Sequence, residues 1–402
     1  INPGEGGNTS KISGPNPAIA TLSQGEIATF AWIYEVVAPA AANRTFTTTA
    51  TGTDRNSLAL VSTPNRNVVV TVVSTVTPKW SFPGVAVTGG FNAIPTTQEN
   101  VVLAGANDNK VYAIDMATGQ QKWVFSTSGI ILSPIVTVYD DGLGRDLILV
   151  ASQDNKVYCL IDYGTFVVQR WEAFYGGPPP AAFRAAPITD GTYVYIGGED
   201  GYVRCLNLSN GQARAGWTNT AIGAIRSTTA VQDGFVLVGS AGNNRVYRLN
   251  ADGTVHSSYL TGASVISSPF IWNSRLYIAS DRLYCLNPSN LTQVYWNYNF
   301  GSTSQSSPWF DYDTDAASGP IVFGTENSYI RAVLDAGTSG TPSWSYLANG
   351  AVRTNPLVAG DRVLFGDSTG RIYSLERVGG TLRSGWPYNT GSAINSSPAV
   401  NY

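Results

Sequence analysis

A segment of about forty residues is repeated seven times between Pro95 and Tyr402. Each copy opens on a short anchor, in most copies a small or polar residue followed by proline. The anchors are residues 92–95, 132–134, 185–187, 227–229, 267–269, 306–308 and 354–356, with an eighth copy at residues 396–398. A repeat of this period indicates a β-propeller or a solenoid. The chain is therefore predicted to be all-β over most of its length, and a binding or scaffolding surface is favoured over a single catalytic domain.

Each repeat divides into four short strands. In the first repeat one strand follows the anchor, the second covers residues 101–105, the third 110–115, and the fourth contains Trp123. The pairs Asp108-Asn109 and Thr118-Gly119 supply residues that tolerate the positive φ of tight hairpins. We expect four-stranded antiparallel blades.

A tryptophan recurs in the fourth strand of most repeats. The positions are Trp80, Trp123, Trp171, Trp217, Trp296, Trp344 and Trp386. An aromatic ring at a fixed repeat position predicts a wedge packed between neighbouring blades.

The pattern from Val111 to Trp123, Val-Tyr-Ala-Ile-Asp followed by Thr-Gly and Trp, resembles the quinoprotein-type (PQQ-like) propeller repeat. The Ser-Ser-Pro anchors resemble the same family. The resemblance implies the fold, and it is shared by alcohol dehydrogenases, an outer-membrane assembly lipoprotein and surface proteins without a cofactor. It also implies that a quinone enzyme of this type has an adjacent cysteine pair over the cofactor. This chain has no adjacent cysteines, and no catalytic or cofactor-binding residue is predicted.

The ends of the repeat array leave the blade number between seven and eight. Trp80 belongs to a last strand without preceding strands, and residues 398–402 begin a first strand without followers. These two pieces are expected to pair as a partial closing blade. Seven blades are predicted, with eight as the alternative.

Residues 1–77 do not carry the repeat. They contain about four strand-like runs of alternating β-branched and aromatic residues, among them residues 27–34, 45–50 and 68–73. Residues 13–57 resemble the second half of the Ig-like modules found in tandem on bacterial and archaeal surface proteins, and the chain is expected to begin in mid-domain. The predicted domains are a partial Ig-like β-sandwich at 1–77 and the propeller at 78–402.

Charge and composition indicate in which cellular environment the protein works. The net charge is −3 and charged residues make up 13% of the chain, which gives no basic surface for nucleic acid. No apolar run is long enough for a transmembrane helix. A surface rich in Thr, Ser and Asn predicts a secreted or cell-surface protein.

The cysteines Cys159, Cys205 and Cys285 occupy the same repeat position in different blades, and we expect buried, unpaired thiols.

Two acidic loops are candidates for structural Ca²⁺. Asp311, Asp313 and Asp315 place carboxylates at alternate positions, as at the start of an EF-hand loop, but the loop lacks the remaining EF-hand residues. Asp140 and Asp146 lie in the corresponding loop of another blade, which resembles the Ca²⁺ loops of FG-GAP propellers. The alternative for both is a solvated polar turn.

Three arginines stand directly before anchors. Arg184, Arg226 and Arg353 are expected to point toward one face near the propeller axis and to form a ligand face.

The predicted function is a non-catalytic structural or adhesive scaffold, able to assemble into filaments by sharing strands with copies of itself or with other surface proteins. The alternatives are a carbohydrate- or peptide-binding propeller, with polysaccharide as a partner, and a quinone-type oxidoreductase that uses the funnel.

Overall fold

The computed structural model describes residues 78–82, 87, 89–310 and 319–399 in full. Of residues 1–77 it describes the backbone of seven strands. The chain divides into two compact units, one of residues 1–77 with 383–386, the other of residues 78–382 with 387–402. Asp311, Asp313 and Asp315 lie outside the described residues.

The first unit contains a three-stranded sheet in the order β1-β4-β7 and two separate strand pairs, β2-β3 and β5-β6. The strands are β1 (Asn2–Pro3), β2 (Thr9–Asn16), β3 (Ala31–Val36), β4 (Asn43–Thr48), β5 (Thr51–Thr53), β6 (Leu60–Ser62) and β7 (Arg66–Thr71). The Ig-like assignment of this unit stays a prediction.

The second unit contains seven antiparallel sheets, one from each repeat, and the described residues contain no helix. Blade 1 comprises β8 (Thr96–Gln98), β9 (Val101–Gly105), β10 (Lys110–Asp115) and β11 (Gln121–Ser126). Blade 2 comprises β12 (Val136–Asp140), β13 (Arg145–Ala151), β14 (Lys156–Asp162) and β15 (Val167–Phe174). Blade 3 comprises β16 (Ile188–Thr189), β17 (Tyr193–Gly197) and β18 (Val203–Asn207). Two isolated bridges, Leu206 to Ala213 and Tyr202 to Ala221, take the place of its fourth strand.

The remaining blades have four strands each. Blade 4 comprises β19 (Ala230–Gln232), β20 (Phe235–Ser240), β21 (Arg245–Leu249) and β22 (Val255–Leu260). Blade 5 comprises β23 (Phe270–Trp272), β24 (Arg275–Ala279), β25 (Leu283–Asn287) and β26 (Asn290–Tyr298). Blade 6 comprises β27 (Trp309–Phe310), β28 (Ile321–Gly324), β29 (Tyr329–Asp335) and β30 (Gly340–Leu347). Blade 7 comprises β31 (Leu357–Ala359), β32 (Arg362–Gly366), β33 (Arg371–Glu376) and β34 (Tyr388–Asn389). The predicted all-β, seven-bladed propeller of four-stranded blades is confirmed.

The tight hairpin turns contain residues that tolerate a positive φ, as the sequence predicts. Asn109 and Asn155 occupy the same place between the second and third strands of blades 1 and 2, with φ of 68° and 67°. Asparagine tolerates this left-handed conformation better than most residues, which explains its place in the tight turn.

In three blades the anchor serine or threonine forms two hydrogen bonds with the second strand of the same blade. The Ser227 hydroxyl donates to the Gly239 carbonyl at 2.8 Å and accepts from the Gly239 N–H at 2.8 Å. Ser267 makes the same pair of bonds with Ala279, and Thr354 makes it with Gly366. A single buried hydroxyl thus satisfies one donor and one acceptor of the backbone, which is why a hydroxyl residue recurs at this position.

The recurring tryptophan docks on the neighbouring blade. Trp171 of blade 2 donates its indole N–H to the Leu208 carbonyl of blade 3 at 2.8 Å. Its ring covers Gly211 so closely that a Cβ added there would lie 2.5 Å from a ring carbon. Trp80, Trp296 and Trp344 likewise donate to the next blade and each faces a glycine there. The predicted wedge role is confirmed for these positions.

A buried carboxylate strengthens the joint between blades 5 and 6. Asp335 accepts hydrogen bonds from the Trp296 indole at 2.8 Å, the Tyr277 hydroxyl at 2.6 Å and the Gly337 N–H at 2.7 Å, and it pairs with Arg275. Burial alone would raise the pKa of Asp335. The hydrogen bonds and the Arg275 charge outweigh burial and lower the pKa below its usual value.

The three cysteines lie on the third strands of blades 2, 3 and 5 as free, buried thiols. Burial raises the pKa of Cys159 and Cys285 to about 12 and that of Cys205 to about 11. The prediction of unpaired core thiols is confirmed. Thiols of this kind are inert, because the thiolate is the reactive form.

We predict that Gly211→Ala destabilises the protein more than Gly164→Ala. Both glycines lie in turns after a third strand with positive φ, of 73° and 83°, but a Cβ at Gly164 meets no atom within 4 Å. The Gly164 variant should lose about 1 kcal/mol of unfolding free energy through backbone strain. The Gly211 variant should lose a further 1–3 kcal/mol, about the cost of overpacking against Trp171. Urea denaturation measures both, and equal losses would contradict the wedge contact.

We also predict that iodoacetamide does not modify the native protein. Intact-mass spectrometry should show no adduct before unfolding and three adducts after unfolding in denaturant, one for each cysteine. Thr218→Cys, at an exposed position, is the positive control and should react without denaturant. Modification of a natural cysteine at the rate of this control would show that the thiols are accessible.

Candidate functional site

An axial cavity of about 320 Å³ opens on one face of the propeller. Its wall is built from all eight copies of the anchor. Each copy contributes the residue that lies two positions before the middle of its anchor; these residues are Asn92, Leu132, Arg184, Arg226, Ile266, Gln305, Arg353 and Asn395. Because side chains alternate along extended backbone, the residue two positions later in most copies lines the same cavity. The eighth anchor copy therefore takes its place in the ring although the structure has seven sheets.

Five hydrogen bonds join six successive anchors around the axis, from blade 3 to the eighth copy. At each of these joints the N–H of one middle anchor residue donates to the side-chain oxygen of the next middle residue. The bonds run from Ala186 to Thr228 at 3.2 Å, Thr228 to Ser268 at 3.0 Å, Ser268 to Ser307 at 2.9 Å, Ser307 to Asn355 at 2.7 Å and Asn355 to Ser397 at 2.7 Å. This ring, called the anchor ring below, explains why the repeat selects Ser, Thr or Asn at the middle position.

The anchor ring is interrupted at blade 1, whose middle residue Ile94 has no side-chain oxygen, and at blade 2, whose anchor is shifted by one residue. The buried Ser133 matches the buried Ser267, so Pro134 takes the middle position that Ser268 holds in blade 5. Proline has no N–H to donate and no side-chain oxygen to accept. The joint between blades 2 and 3 uses Gln153 instead, whose amide donates to the Phe183 carbonyl at 2.6 Å.

The structure brings Arg184, Arg226 and Arg353 together at this cavity. Arg184 and Arg226 both pair with Glu199, at 2.9 and 2.8 Å. Arg353 pairs with Glu326 through Nε and Nη2 at 3.0 and 2.9 Å. The hydrogen bonds that Arg353 donates to Glu326 raise the pKa of Arg353 above its usual value. Three guanidinium groups thus share two carboxylates, and the role of these arginines as a ligand face stays a prediction.

Two glutamates of this rim were not among the residues predicted from the sequence. Glu199 and Glu326 occupy the same place in the hairpin between the second and third strands of blades 3 and 6. The available signal was the pair of matching segments Gly197-Gly198-Glu199 and Gly324-Thr325-Glu326. The other blades have Asn107, Gln153, Ala241, Asp281 or Ser368 there.

A second axial cavity, of about 440 Å³, lies on the other side of the anchor ring. It shares Ser268, Ser307 and Asn355 with the first cavity. Its remaining wall is mainly apolar and includes anchor prolines and the first-strand residues Phe270 and Leu357. The anchor ring therefore separates a polar mouth from an apolar channel.

The two aspartates of the blade 2 loop do not converge on one point. Asp140 pairs with Arg145 across the β12-β13 ladder, and Asp146 pairs with Tyr139, so the two side chains leave the sheet on opposite faces. Asp140 forms a salt bridge with Arg170 at 2.8 Å. Burial and the charges of nearby acidic residues raise the pKa of Asp146. The described part of the chain contains no group of three His, Cys, Asp or Glu residues that could hold a metal ion, and calcium binding stays a prediction.

The residues that line the first axial cavity do not fit the quinone cofactor that the repeat resemblance implies for the enzymes of the family. None of the three cysteines lines the cavity, and no aromatic side chain among its described lining residues could stack on a planar cofactor. Its nearest carboxylates, Glu199 and Glu326, are already paired with arginines.

No helix of the described residues is long and apolar enough to span a membrane.

We predict that Glu199 and Asp335 differ sharply in their effect on stability. Glu199→Gln should lower the free energy of unfolding by less than about 1 kcal/mol, because its arginine partners are exposed on the rim. Asp335→Asn should lower it by about 2–4 kcal/mol, because a buried network loses its charge. Urea denaturation of both variants measures the difference. A large loss for Glu199→Gln would show that the rim ion pairs are structural.

Comparison with known proteins identifies the fold. The family model described as outer membrane protein assembly factor BamB matches residues 31–259 and 245–397, while no curated protein matches the chain. BamB from Moraxella catarrhalis has a TM-score of 0.61 and 17% identity, covering 82% of this chain and 92% of that chain. The computationally designed Ika8 protein has a TM-score of 0.60 and 14% identity over 77% of this chain and 90% of that chain. A europium-containing methanol dehydrogenase has a TM-score of 0.61 and 12% identity, with coverage of 77% and 80%.

At these identities the structural likenesses show the fold alone, and they include both an assembly factor and an enzyme. The family match, in contrast, extends over most of the residues. It agrees with the PQQ-like repeat found in the sequence. The chain belongs to the BamB-like family of PQQ-repeat β-propellers.

Proposed function

We propose that the protein is a non-catalytic scaffold that holds an acidic segment of a partner protein at the rim of the axial cavity. The observation that carries the proposal is the charge balance of this rim, where Arg184, Arg226 and Arg353 share only Glu199 and Glu326. An incoming carboxylate would complete the third pair. Exposed arginines around a polar mouth are suited to recognising carboxylates, because guanidinium groups bind them through two parallel hydrogen bonds. Membership of a family named for an assembly factor supports a role in holding other proteins.

The partner that the chain itself offers is a second copy. Its net charge is −3, and the segments 139–146 and 310–315 are acidic. The first of them is the hairpin after the first strand of blade 2, at the opposite end of that strand from the anchor ring. Contact between this face of one copy and the arginine rim of another would be head-to-tail and would build a filament. We place the scaffold outside the cell or on its surface, in line with the low charge of the chain and the Ig-like resemblance of residues 1–77.

A peptide-binding experiment tests the arginine rim. The probe is a fluorescent peptide with the sequence of residues 309–316, titrated with the whole chain and followed by anisotropy. Binding should weaken about tenfold in Arg226→Gln or Arg353→Gln, and also as salt is raised. Arg362→Gln is the matched control, because Arg362 is equally exposed and ion-paired but lies on the first hairpin of blade 7. Equal affinity for all four proteins, or no binding, would contradict the proposal.

Light scattering tests whether the partner is a second copy. The native mass should exceed that of one chain at low salt and fall to it in the arginine variants. A mass of one chain under all conditions would rule out self-association and leave another acidic protein as the partner. Adding a Ca²⁺ chelator to the same measurement tests the predicted calcium loops, since dissociation by chelator would implicate the segments that contain Asp140 and Asp313.

A further inference from the structure

A third cavity, of about 700 Å³, lies against the first strands of blades 3, 4 and 5. Its wall is formed by β16, β19 and β23 and by the hairpins that follow them, including Asp190 and Asn273. These hairpins follow the first strands, whereas the arginine rim precedes them, so the third cavity is separate from the rim. Its volume is within the range of about 300–1,000 Å³ that is usual for small-molecule sites.

Thr229 gives this cavity a buried polar group without a partner. The side chain is 3% exposed, and its hydroxyl has no hydrogen-bond partner among the described residues. The corresponding residues of the other copies are all apolar: Pro95, Ile135, Pro187, Pro269, Pro308, Pro356 and Pro398. A buried hydroxyl without a partner is costly. Blade 4 therefore departs from the repeat at a residue of the cavity wall whose buried hydroxyl lacks a partner among the described residues.

Gln232, at the end of the same strand, adds a second such group. Its Oε1 is buried and has no partner among the described residues, and the residue lines the same cavity. The two side chains together offer a hydroxyl, which can donate or accept, and an amide oxygen, which requires a donor. A ligand that satisfies both must present hydroxyl or N–H groups.

The charges of the cavity wall favour a neutral ligand. None of its described lining residues is Lys, Arg or His. Its one carboxylate, Asp190, is already used, because Oδ1 accepts from the N–H groups of Thr192 and Tyr193 and Oδ2 accepts from the Tyr195 hydroxyl. The rest of the wall includes the apolar residues Ile188, Val231 and Ile271. An anionic ligand would find no counter-charge here, and the one carboxylate already accepts three hydrogen bonds from neutral groups of the protein.

We propose that this cavity binds a neutral saccharide. A sugar ring combines hydroxyl groups, which can bond to Thr229 and Gln232, with C–H faces that can pack on the apolar wall. The two unpartnered groups are side-chain atoms, whereas a peptide that added a strand to a sheet edge would be held by main-chain groups. The site would let the scaffold attach to a glycan while its arginine rim holds a protein.

The test is titration calorimetry of the whole chain with cellotetraose, maltotetraose and chitotetraose as probes. At least one should bind, and Thr229→Val should weaken that binding about tenfold, since the variant keeps the shape but loses the hydroxyl. Gln232→Leu should have a similar effect. Thr218→Val, at an exposed position on another part of the propeller, is the matched control and should bind as the original chain does. Thermal unfolding of each variant verifies the fold, and Thr229→Pro, which copies the other repeats, serves as a second variant at this position.

Three results would overturn the proposal. One is no binding of any of the three saccharides, and another is binding that is unchanged in both Thr229→Val and Gln232→Leu. The third is binding of an uncharged extended peptide, Gly-Ser-Gly-Ser-Ala-Ser, that is lost in Thr229→Val while no saccharide binds. Saccharide binding should be the same in Arg353→Gln, so failure of the arginine rim and failure of this cavity are distinguishable.

Discussion

The anchor ring is the interaction on which the rest of the propeller depends. Each of its hydrogen bonds contributes on the order of 1 kcal/mol, but its larger effect is geometric. By holding the middle residue of one anchor against the next, it sets where the neighbouring positions point. The residue before each anchor then faces the polar mouth, as Arg184 and Arg353 do. The residue after the middle position faces the channel, as Pro308 does, or the third cavity, as Thr229 does. Both candidate sites are consequences of this alternation around one axis.

The outer part of four joints, those of Trp80, Trp171, Trp296 and Trp344, depends on a different interaction. There an indole ring packs on a turn glycine of the next blade and its N–H bonds to that blade, as Trp171 does with Gly211 and Leu208. The inner bonds are polar and directional, whereas the outer contacts bury apolar area. The joints between blades 5 and 6 and between blades 6 and 7 have both kinds of contact, and stability accumulates joint by joint. The ion pairs of Glu199 and Glu326 at the rim belong to neither kind of contact between blades. In the proposed function they take part in binding instead.

Much of this arrangement could be predicted from the sequence because the repeat fixes the spacing of its residues. The four-stranded blades, the tryptophan wedges and the buried thiols all follow from positions that recur, and the position before the anchor was enough to group Arg226 with Arg353. The carboxylates that pair with these arginines could not be found in this way, because Glu199 and Glu326 come from hairpins distant in sequence from their partners. The separation of Asp140 from Asp146 depends on strand register, which spacing alone does not give. The shift at Pro134 was hidden for a related reason, since only the burial of Ser133 shows which residue occupies the middle position.

The displaced anchor of blade 2 affects how the repeat could be duplicated or exchanged. From Thr228 to Asn355 every middle residue both donates to the next blade and accepts from the previous one, so each of these blades presents the same connection on both sides. A unit with matching connections can be copied or removed without changing its neighbours. Blade 2, with Pro134 at this position and Gln153 as its substitute contact, needs the particular backbone of blade 3 beside it. Blades 4–7 are thus modular parts of the ring, while blade 2 is specific to its place.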